Sequence, residues 1–143
     1  MVDLIAVQQS AALPYSYREG RIQLMLITSS GTGRWIIPKG HIEPGLTPAE
    51  SAEAEALEEA GVIGNIAAKS IGTYIYTKRP ERGGDRCRVR VFALEVTRVL
   101  DDYQEAALRE RQWMTVPKAV KAVREPELRA LFEKFAKAFR KAA

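Results

Sequence analysis

Three glutamates, Glu55, Glu58 and Glu59, stand at positions i, i+3 and i+4 of the segment PAESAEAEALEEAGV. On a helix this spacing places the three carboxylates on one face, and no Lys or Arg lies among them to neutralise the charge. Like charges at this spacing destabilise a helix by roughly 0.2–0.5 kcal/mol per pair. The pattern therefore predicts a cation bound beside this face.

The chemistry of the ligands narrows the choice of cation. Carboxylate oxygens favour hard ions such as Mg²⁺ or Mn²⁺, and a zinc cluster is excluded because His41 and Cys87 are the only His and Cys. A metal that shares its sphere between carboxylates and waters is typical of sites that act on phosphates, where it lowers the pKa of the attacking water. A neighbouring carboxylate that does not bind the metal can act as the general base.

A basic segment, KRPERGGDRCRVR, suits an anionic partner. Within it Arg86, Arg88 and Arg90 alternate with small or apolar residues, so a strand would present three arginines on one face. Arginine clamps phosphate oxygens, which makes these three and Arg34 candidates for substrate binding. The alternative is a solvated basic hairpin loop, and we do not expect nucleic acid as the partner.

The helix that carries the glutamates has clear sequence boundaries. Thr47 is the predicted N-cap, Pro48 the first helical residue, and Glu50 completes a capping box. Gly61 predicts the stop, which gives a helix of about 13 residues and about 20 Å. One side of it is a stripe of small residues that allows close packing on a sheet: Ala49, Ala52, Ala56 and Ala60.

Strands are predicted on both sides of this helix, at residues 21–28, 34–37, 70–77 and 88–96. Glu43-Pro44-Gly45 predicts a type II turn before the helix. After Pro117 the pattern predicts a short helix and, beyond Pro126, a longer amphipathic one. Because strands and helices alternate, we expect a mixed α/β layered fold.

The length of 143 residues suits one domain covering residues 1–143, and 46% hydrophobic with 28% charged residues is typical of a globular protein. No run of about 18 apolar residues predicts a membrane span. The N-terminus lacks the basic start and long apolar region of a secretory signal. The single Cys87 cannot form an internal disulfide, so we expect a protein of a reducing compartment, the cytoplasm. For the oligomeric state we expect either a monomer or a homodimer.

Residues 38–62 resemble the signature of the Nudix hydrolase family, G-x5-E-x7-R-E-U-x-E-E-x-G-U, where U is a bulky aliphatic residue. Three positions depart from it: Leu46 replaces the first glutamate, Ala54 replaces the arginine and, as a milder change, Ala56 replaces the first bulky aliphatic residue. The resemblance implies an α/β/α sandwich around a mixed sheet and hydrolysis of a diphosphate linkage with a divalent metal. The matching glycines and glutamates are Gly40, Glu55, Glu58, Glu59 and Gly61.

Residues 34–113 further resemble the diphosphoinositol polyphosphate and diadenosine polyphosphate hydrolase branch, which implies a polyanionic small-molecule substrate. By position, the backbone carbonyl of Lys39 joins the three glutamates as a metal ligand, and its side chain faces substrate phosphate. His41 is either a plain loop residue or a further substrate-binding residue in contact with phosphate. Glu105 or Glu110 supplies a further ligand or the base. The resemblance thus implies three candidate catalytic residues: Glu58, Glu59 and Glu105.

Leu46 and Ala54 leave a second function possible. In the family the glutamate and arginine at these two positions orient the loop and the carboxylate helix. Because this chain lacks both of them together, no uncompensated buried charge remains. The metal-binding trio is intact, which favours catalysis. The alternative is a catalytically weak Nudix domain that binds nucleotide or polyphosphate as a sensor, and RNA caps or 5′-triphosphates are variant substrates.

Overall fold

The computed structural model describes residues 5 and 7–142. Within them a mixed sheet is flanked by helices, as the sequence predicts. Two short irregular helical turns, a π turn at Ala56–Ala60 and a 3₁₀ turn at Pro80–Arg82, complete the elements. The strands and helices are, in chain order, β1 Val7–Arg18, β2 Arg21–Thr28, β3 Trp35–Ile36, β4 Lys39–His41, α1 Pro48–Glu55, β5 Val62–Ile66, β6 Gly72–Thr77, β7 Arg86–Val99, β8 Arg111–Thr115, α2 Val116–Ala122 and α3 Pro126–Ala142.

Strand β1 lies at the centre of the sheet. It runs parallel to β7 along nine residue pairs and antiparallel to β4 and β2 on its other side. Strands β5 and β6 both pair with β7, and β3 and β8 both pair with β2. This arrangement brings the short strand β4 and the start of α1 to the middle of the sheet.

The sequence pattern did not predict β1. Its residues, VQQSAALPYSYR, lack the β-branched side chains and the alternation that mark a strand. Both faces are nevertheless covered, since Ala11, Ala12 and Leu13 are fully buried. Pro14 lies between the stretch paired with β4 and the stretch paired with β2, where the partner strand changes. Tertiary packing, rather than local propensity, selects this strand.

Hydrophobic clusters fill both sides of the sheet. Against α1 lies a cluster that includes Phe92 and Leu94, and against α2 and α3 lies another that includes Leu24 and Val89. The buried Cys87 is a small strand residue, as expected. The layers therefore form an α/β/α sandwich, with one helix on one face and two on the other.

The boundaries of α1 confirm the sequence prediction. Thr47 caps the helix and forms the capping box with Glu50, and Gly61 ends the helical segment with φ of 65°. The turn at Glu43-Pro44-Gly45 also forms, because Leu46 N–H donates to the Glu43 carbonyl at 3.1 Å and Gly45 has φ of 86°. The last five helical residues differ from the prediction, since they wind as a π turn instead of an α-helix.

The two helices near the C-terminus also match their predictions. Helix α3 begins at Pro126 and buries Leu128, Leu131 and Phe132, while Phe139 packs edge-to-face on Tyr15 at 5.7 Å between ring centroids. None of the helices in the described part of the chain is both long and apolar enough to cross a membrane.

Candidate functional site

A cleft of about 1330 Å³ opens where β4, the carboxylate helix and four connecting segments meet. The connecting segments are the β2–β3 turn, the β6–β7 hairpin, the loop before β8 and the α2–α3 connection. The charged side chains that line it, with the single His, are Arg34, Lys39, His41, Glu43, Glu55, Glu58, Glu59, Lys78, Arg79, Glu81, Arg82, Glu105, Arg109, Arg124 and Glu125.

The carboxylates are held against the backbone of β4. Glu59 is only 7% exposed, and its Oε1 accepts a hydrogen bond from the Lys39 N–H at 3.1 Å. The Glu55 carboxylate lies directly over Gly40, in space that any Cβ at that position would occupy. The signature glycine therefore allows the close approach of Glu55 to the strand.

The stripe of small residues sets the depth of this approach. Ala52, Ala56 and Ala60 are fully buried against the sheet, so the helix backbone lies close to it. The π turn keeps Ala56 and Ala60 on the sheet while Glu58 and Glu59 line the cleft. Wide turns of this kind are frequent at functional sites.

The loop before β8 adds a fourth carboxylate. Glu105 N–H donates to the Glu58 carbonyl at 3.0 Å, which fixes the loop to the π turn, and the Glu105 side chain lines the cleft. Glu110, the alternative considered from the sequence, is exposed and lies outside the cleft, where its N–H donates to Thr28 Oγ1 at 2.8 Å. The structure thus brings Glu105, and not Glu110, to the predicted trio.

Arg109 is the functional candidate that sequence reasoning missed. Its Nε donates to Glu105 Oε1 at 2.8 Å, and its Nη2 lies 3.6 Å from Glu59 Oε2. Its Nη1 donates to the Thr28 carbonyl at 3.1 Å, which anchors the guanidinium to β2. The i,i+4 spacing from Glu105 was the only available signal, and in an irregular segment that spacing predicts nothing.

Burial and mutual repulsion govern the charge of this cluster. Burial raises the pKa of Glu55 to about 8, and the neighbouring Glu59 carboxylate adds to the shift. Burial also raises the pKa of Glu59, although Arg109 opposes that change. At neutral pH Glu55 therefore carries a proton, which lowers its repulsion of Glu59.

The donor set fits a hard divalent cation. Among the described residues, no three His, Cys, Asp or Glu side chains stand close enough, as they lie, to hold a metal ion. Repulsion between the glutamates opposes a closer approach, and the raised pKa of Glu55 keeps a proton on it at neutral pH. A cation that displaces the proton would draw the all-oxygen set together. The metal roles of the three glutamates and of the Lys39 carbonyl stay predictions.

Ser51 provides a loop-to-helix contact where the signature pair is missing. Leu46 is 40% exposed and Ala54 is partly buried. The Glu43 N–H instead donates to the buried Ser51 Oγ at 3.0 Å, which joins the loop to the first turn of α1. The loop is therefore fixed to the helix without a Glu–Arg ion pair.

The predicted substrate-binding residues fall into two groups. Arg34, Lys39 and His41 line the cleft, and burial lowers the pKa of the Lys39 amine, which stands 4.9 Å from the Tyr76 ring centroid. The three arginines of β7 lie outside the cleft lining; Arg90 packs over Phe92 on the α1 face of the sheet. The structure does not bring Arg86, Arg88 and Arg90 to the carboxylates, so their phosphate-binding role stays a prediction.

Other basic residues line the same cleft from more distant segments. Lys78, Arg79 and Arg82 come from the β6–β7 hairpin, and Arg124 comes from the α2–α3 connection. The first three belong to the basic segment that the sequence indicated, although the strand arginines were singled out there. Arg124 carries no sequence signal, since only the fold places the α2–α3 connection at the cleft.

We expect the substitution Gly40→Ala to weaken Mn²⁺ binding by about tenfold or more, because the new methyl group displaces the Glu55 carboxylate. Calorimetric titration measures the affinity. Gly31→Ala is the matched control, since Gly31 lines the same cleft and a Cβ there meets no atom within 4 Å. Equal affinities of the two variants would contradict the close approach of Glu55.

We expect the metal-free protein to lose stability as the pH rises from about 5 to about 8. The folded state holds the Glu55 proton up to a pKa of about 8, whereas the unfolded chain releases it near 4.5. The folded state therefore binds more protons in this window, and raising the pH favours unfolding. Thermal melts in EDTA should show a decline that Glu55→Gln flattens. Parallel pH profiles of the two proteins would refute this assignment.

Comparisons with known proteins agree with this geometry. The NUDIX domain family model matches residues 8–135. Nudix hydrolase 12, mitochondrial, from Arabidopsis thaliana is 31% identical over 119 residues, and the human diphosphoinositol polyphosphate phosphohydrolase 3-alpha is 33% identical over 110 residues. These alignments cover 80% and 76% of this chain but 59% and 63% of the relatives, so the chain spans about three fifths of their length.

A solved structure shares the fold. The C. elegans Ap4A hydrolase superposes with a TM-score of 0.69 over 95% of this chain and 98% of its own, at 24% identity. The name of the Arabidopsis relative refers to mitochondria, and a cytoplasmic location for this chain stays a prediction. The family match, the sandwich fold and the carboxylate helix over Gly40 lead to one conclusion: the chain belongs to the Nudix hydrolase family.

Proposed function

We propose that this protein is a metal-dependent diphosphohydrolase that cleaves a phosphoanhydride bond in a polyphosphorylated small molecule. One observation carries the proposal. The carboxylates Glu55, Glu58, Glu59 and Glu105 line the same cleft as a set of basic side chains from the β2–β3 turn, β4, the β6–β7 hairpin and the α2–α3 connection. A cation site facing phosphate-binding side chains is the arrangement that phosphoanhydride hydrolysis requires.

The chain's own residues have separable tasks in this reaction. Glu55, Glu58 and Glu59 would hold Mg²⁺ or Mn²⁺, which supplies charge neutralisation and a water of lowered pKa. Lys39 binds the phosphates next to the cleaved bond, and Arg34, whose guanidinium pairs with Glu125, contacts the ligand beside them. The positive charge of Lys39 stabilises the negative charge that develops on the leaving phosphate.

The general base is one of Glu58, Glu59 or Glu105. Of these, Glu105 lies on a loop rather than on the helix, and its carboxylate pairs with Arg109 at 2.8 Å. That ion pair keeps Glu105 oriented toward the carboxylate helix. Glu59 is the most buried of the described acidic side chains in the cleft and already accepts a bond from Lys39 N–H, which favours a ligand role for it.

The proposed substrates are dinucleoside polyphosphates or diphosphoinositol polyphosphates. Two observations support this class. The cleft of about 1330 Å³ exceeds the roughly 300–1,000 Å³ of common ligand sites, and the hairpin residues Lys78, Arg79 and Arg82 extend its basic wall. The names of the human and C. elegans proteins refer to the same two kinds of substrate.

We expect Mg²⁺-dependent product release from at least one member of a panel containing diadenosine polyphosphates and diphosphoinositol phosphates. Glu59→Gln should lower kcat at least ~10²-fold, because a metal ligand is lost. Glu53→Gln, an exposed position on the same helix, is the control and should retain activity. If no panel member is cleaved, or if Glu59→Gln keeps wild-type turnover, the proposal is wrong.

A second candidate is a sensor that binds nucleotide or polyphosphate without turning it over. The observation that favours it is the loss of the signature pair at Leu46 and Ala54. Submicromolar ligand binding without turnover, unchanged in the double variant Leu46→Glu with Ala54→Arg, would support the sensor. Efficient turnover by the wild-type protein would exclude it.

A further inference from the structure

Glu125 places a carboxylate in the part of the cleft wall that is otherwise basic. It immediately precedes α3, and its carbonyl accepts a hydrogen bond from the Arg129 N–H at 3.1 Å. Its side chain turns toward the cleft, where Oε2 accepts a bond from Arg34 Nη1 at 3.0 Å. This ion pair joins the α2–α3 connection to the segment before β3, 91 residues apart in the sequence.

The pair is shielded from water. The Glu125 side chain is 12% exposed and that of Arg34 is 30% exposed. The second carboxylate oxygen, Oε1, is buried and meets no hydrogen-bond donor in the part of the chain that the structure describes. Water therefore screens the charge of this carboxylate less than that of an exposed one.

Glu125 also changes the field around the nearest phosphate-binding groups. Its negative charge supports the protonated form of Lys39, whose pKa is lowered by burial. It neutralises Arg34 through the 3.0 Å contact and adjoins Arg124 in the sequence. The Arg34–Glu125 pair therefore offers a phosphate group a carboxylate and no net positive charge, whereas the hairpin side of the cleft stays basic.

We propose that Glu125 is a specificity-determining residue that selects ligands with an uncharged group at the α2–α3 connection. This inference rests on the proposed function and sharpens its substrate class. The nucleoside of a dinucleoside polyphosphate meets the requirement, because it is uncharged and the phosphates form a chain between the two nucleosides. An inositol ring with phosphate on every carbon does not, since it presents negative charge in every direction.

Binding in EDTA tests the inference without turnover. Calorimetry should give the Kd of diadenosine tetraphosphate and of inositol hexakisphosphate for the wild type, for Glu125→Gln and for Glu81→Gln. Glutamine keeps an acceptor for Arg34 and removes only the charge. Glu81 is the matched control, because it lies in the same cleft on the hairpin.

The wild type should bind diadenosine tetraphosphate more tightly than inositol hexakisphosphate. Glu125→Gln should tighten the binding of inositol hexakisphosphate about tenfold and change that of diadenosine tetraphosphate less than about threefold. Only inositol hexakisphosphate places a phosphate group beside residue 125. Glu81→Gln should leave the ratio of the two Kd values within about threefold of the wild type.

An unchanged Kd ratio in Glu125→Gln, or equal weakening of both ligands with a lower melting temperature, would overturn the inference and assign the pair a structural role. If Glu125→Gln does not fold, the wild type alone tests the inference. Tighter binding of inositol hexakisphosphate than of diadenosine tetraphosphate by the wild type would overturn it. Failure of the proposed function is a separate result, since it shows as absence of hydrolysis with Mg²⁺ whatever the Kd ratio.

Discussion

Repulsion between buried carboxylates is the constraint on which the rest of this structure depends. The small residues of the helix bring its backbone onto the sheet, and Gly40 leaves room for the Glu55 carboxylate directly above the strand. Glu55 and Glu59 are thereby held together in a partly desolvated place, and both pKa values rise. The proton that Glu55 keeps at neutral pH and the Arg109 guanidinium reduce the negative charge, and a divalent cation is the stronger counter-charge that such an arrangement fits.

The fold places the substrate-binding groups around that cluster. The central strand β1 pairs with β4 on one side and with β7 on the other, so the loop before α1 and the β6–β7 hairpin border the same cleft. The C-terminal helices cover the opposite face, and their connection supplies Arg124 and Glu125 to the cleft wall. The cleft thus combines carboxylates, an ion pair and a basic hairpin from separate segments of the chain, and such uneven charge gives a long anionic ligand a preferred orientation.

The sequence predicted the features that local chemistry determines. The capping box, the stop at Gly61 and the signature spacing specify the carboxylate helix without any tertiary information. Strand β1 was missed because its Gln-, Ala- and Pro-containing segment has no strand pattern, and only packing on both faces selects it. Arg109 and Glu125 were missed for a related reason, since each acts through partners far away in the chain.

The most direct test of the account is the proton count of metal binding. Mn²⁺ titrations at pH 7 in buffers of different ionisation enthalpy should show binding with release of a substantial fraction of a proton, because Glu55, with a pKa of about 8, is protonated before the cation arrives. The release should disappear at about pH 9.5, where that proton is already lost. Absence of Mn²⁺ binding, or binding at pH 7 without proton release, would contradict the account.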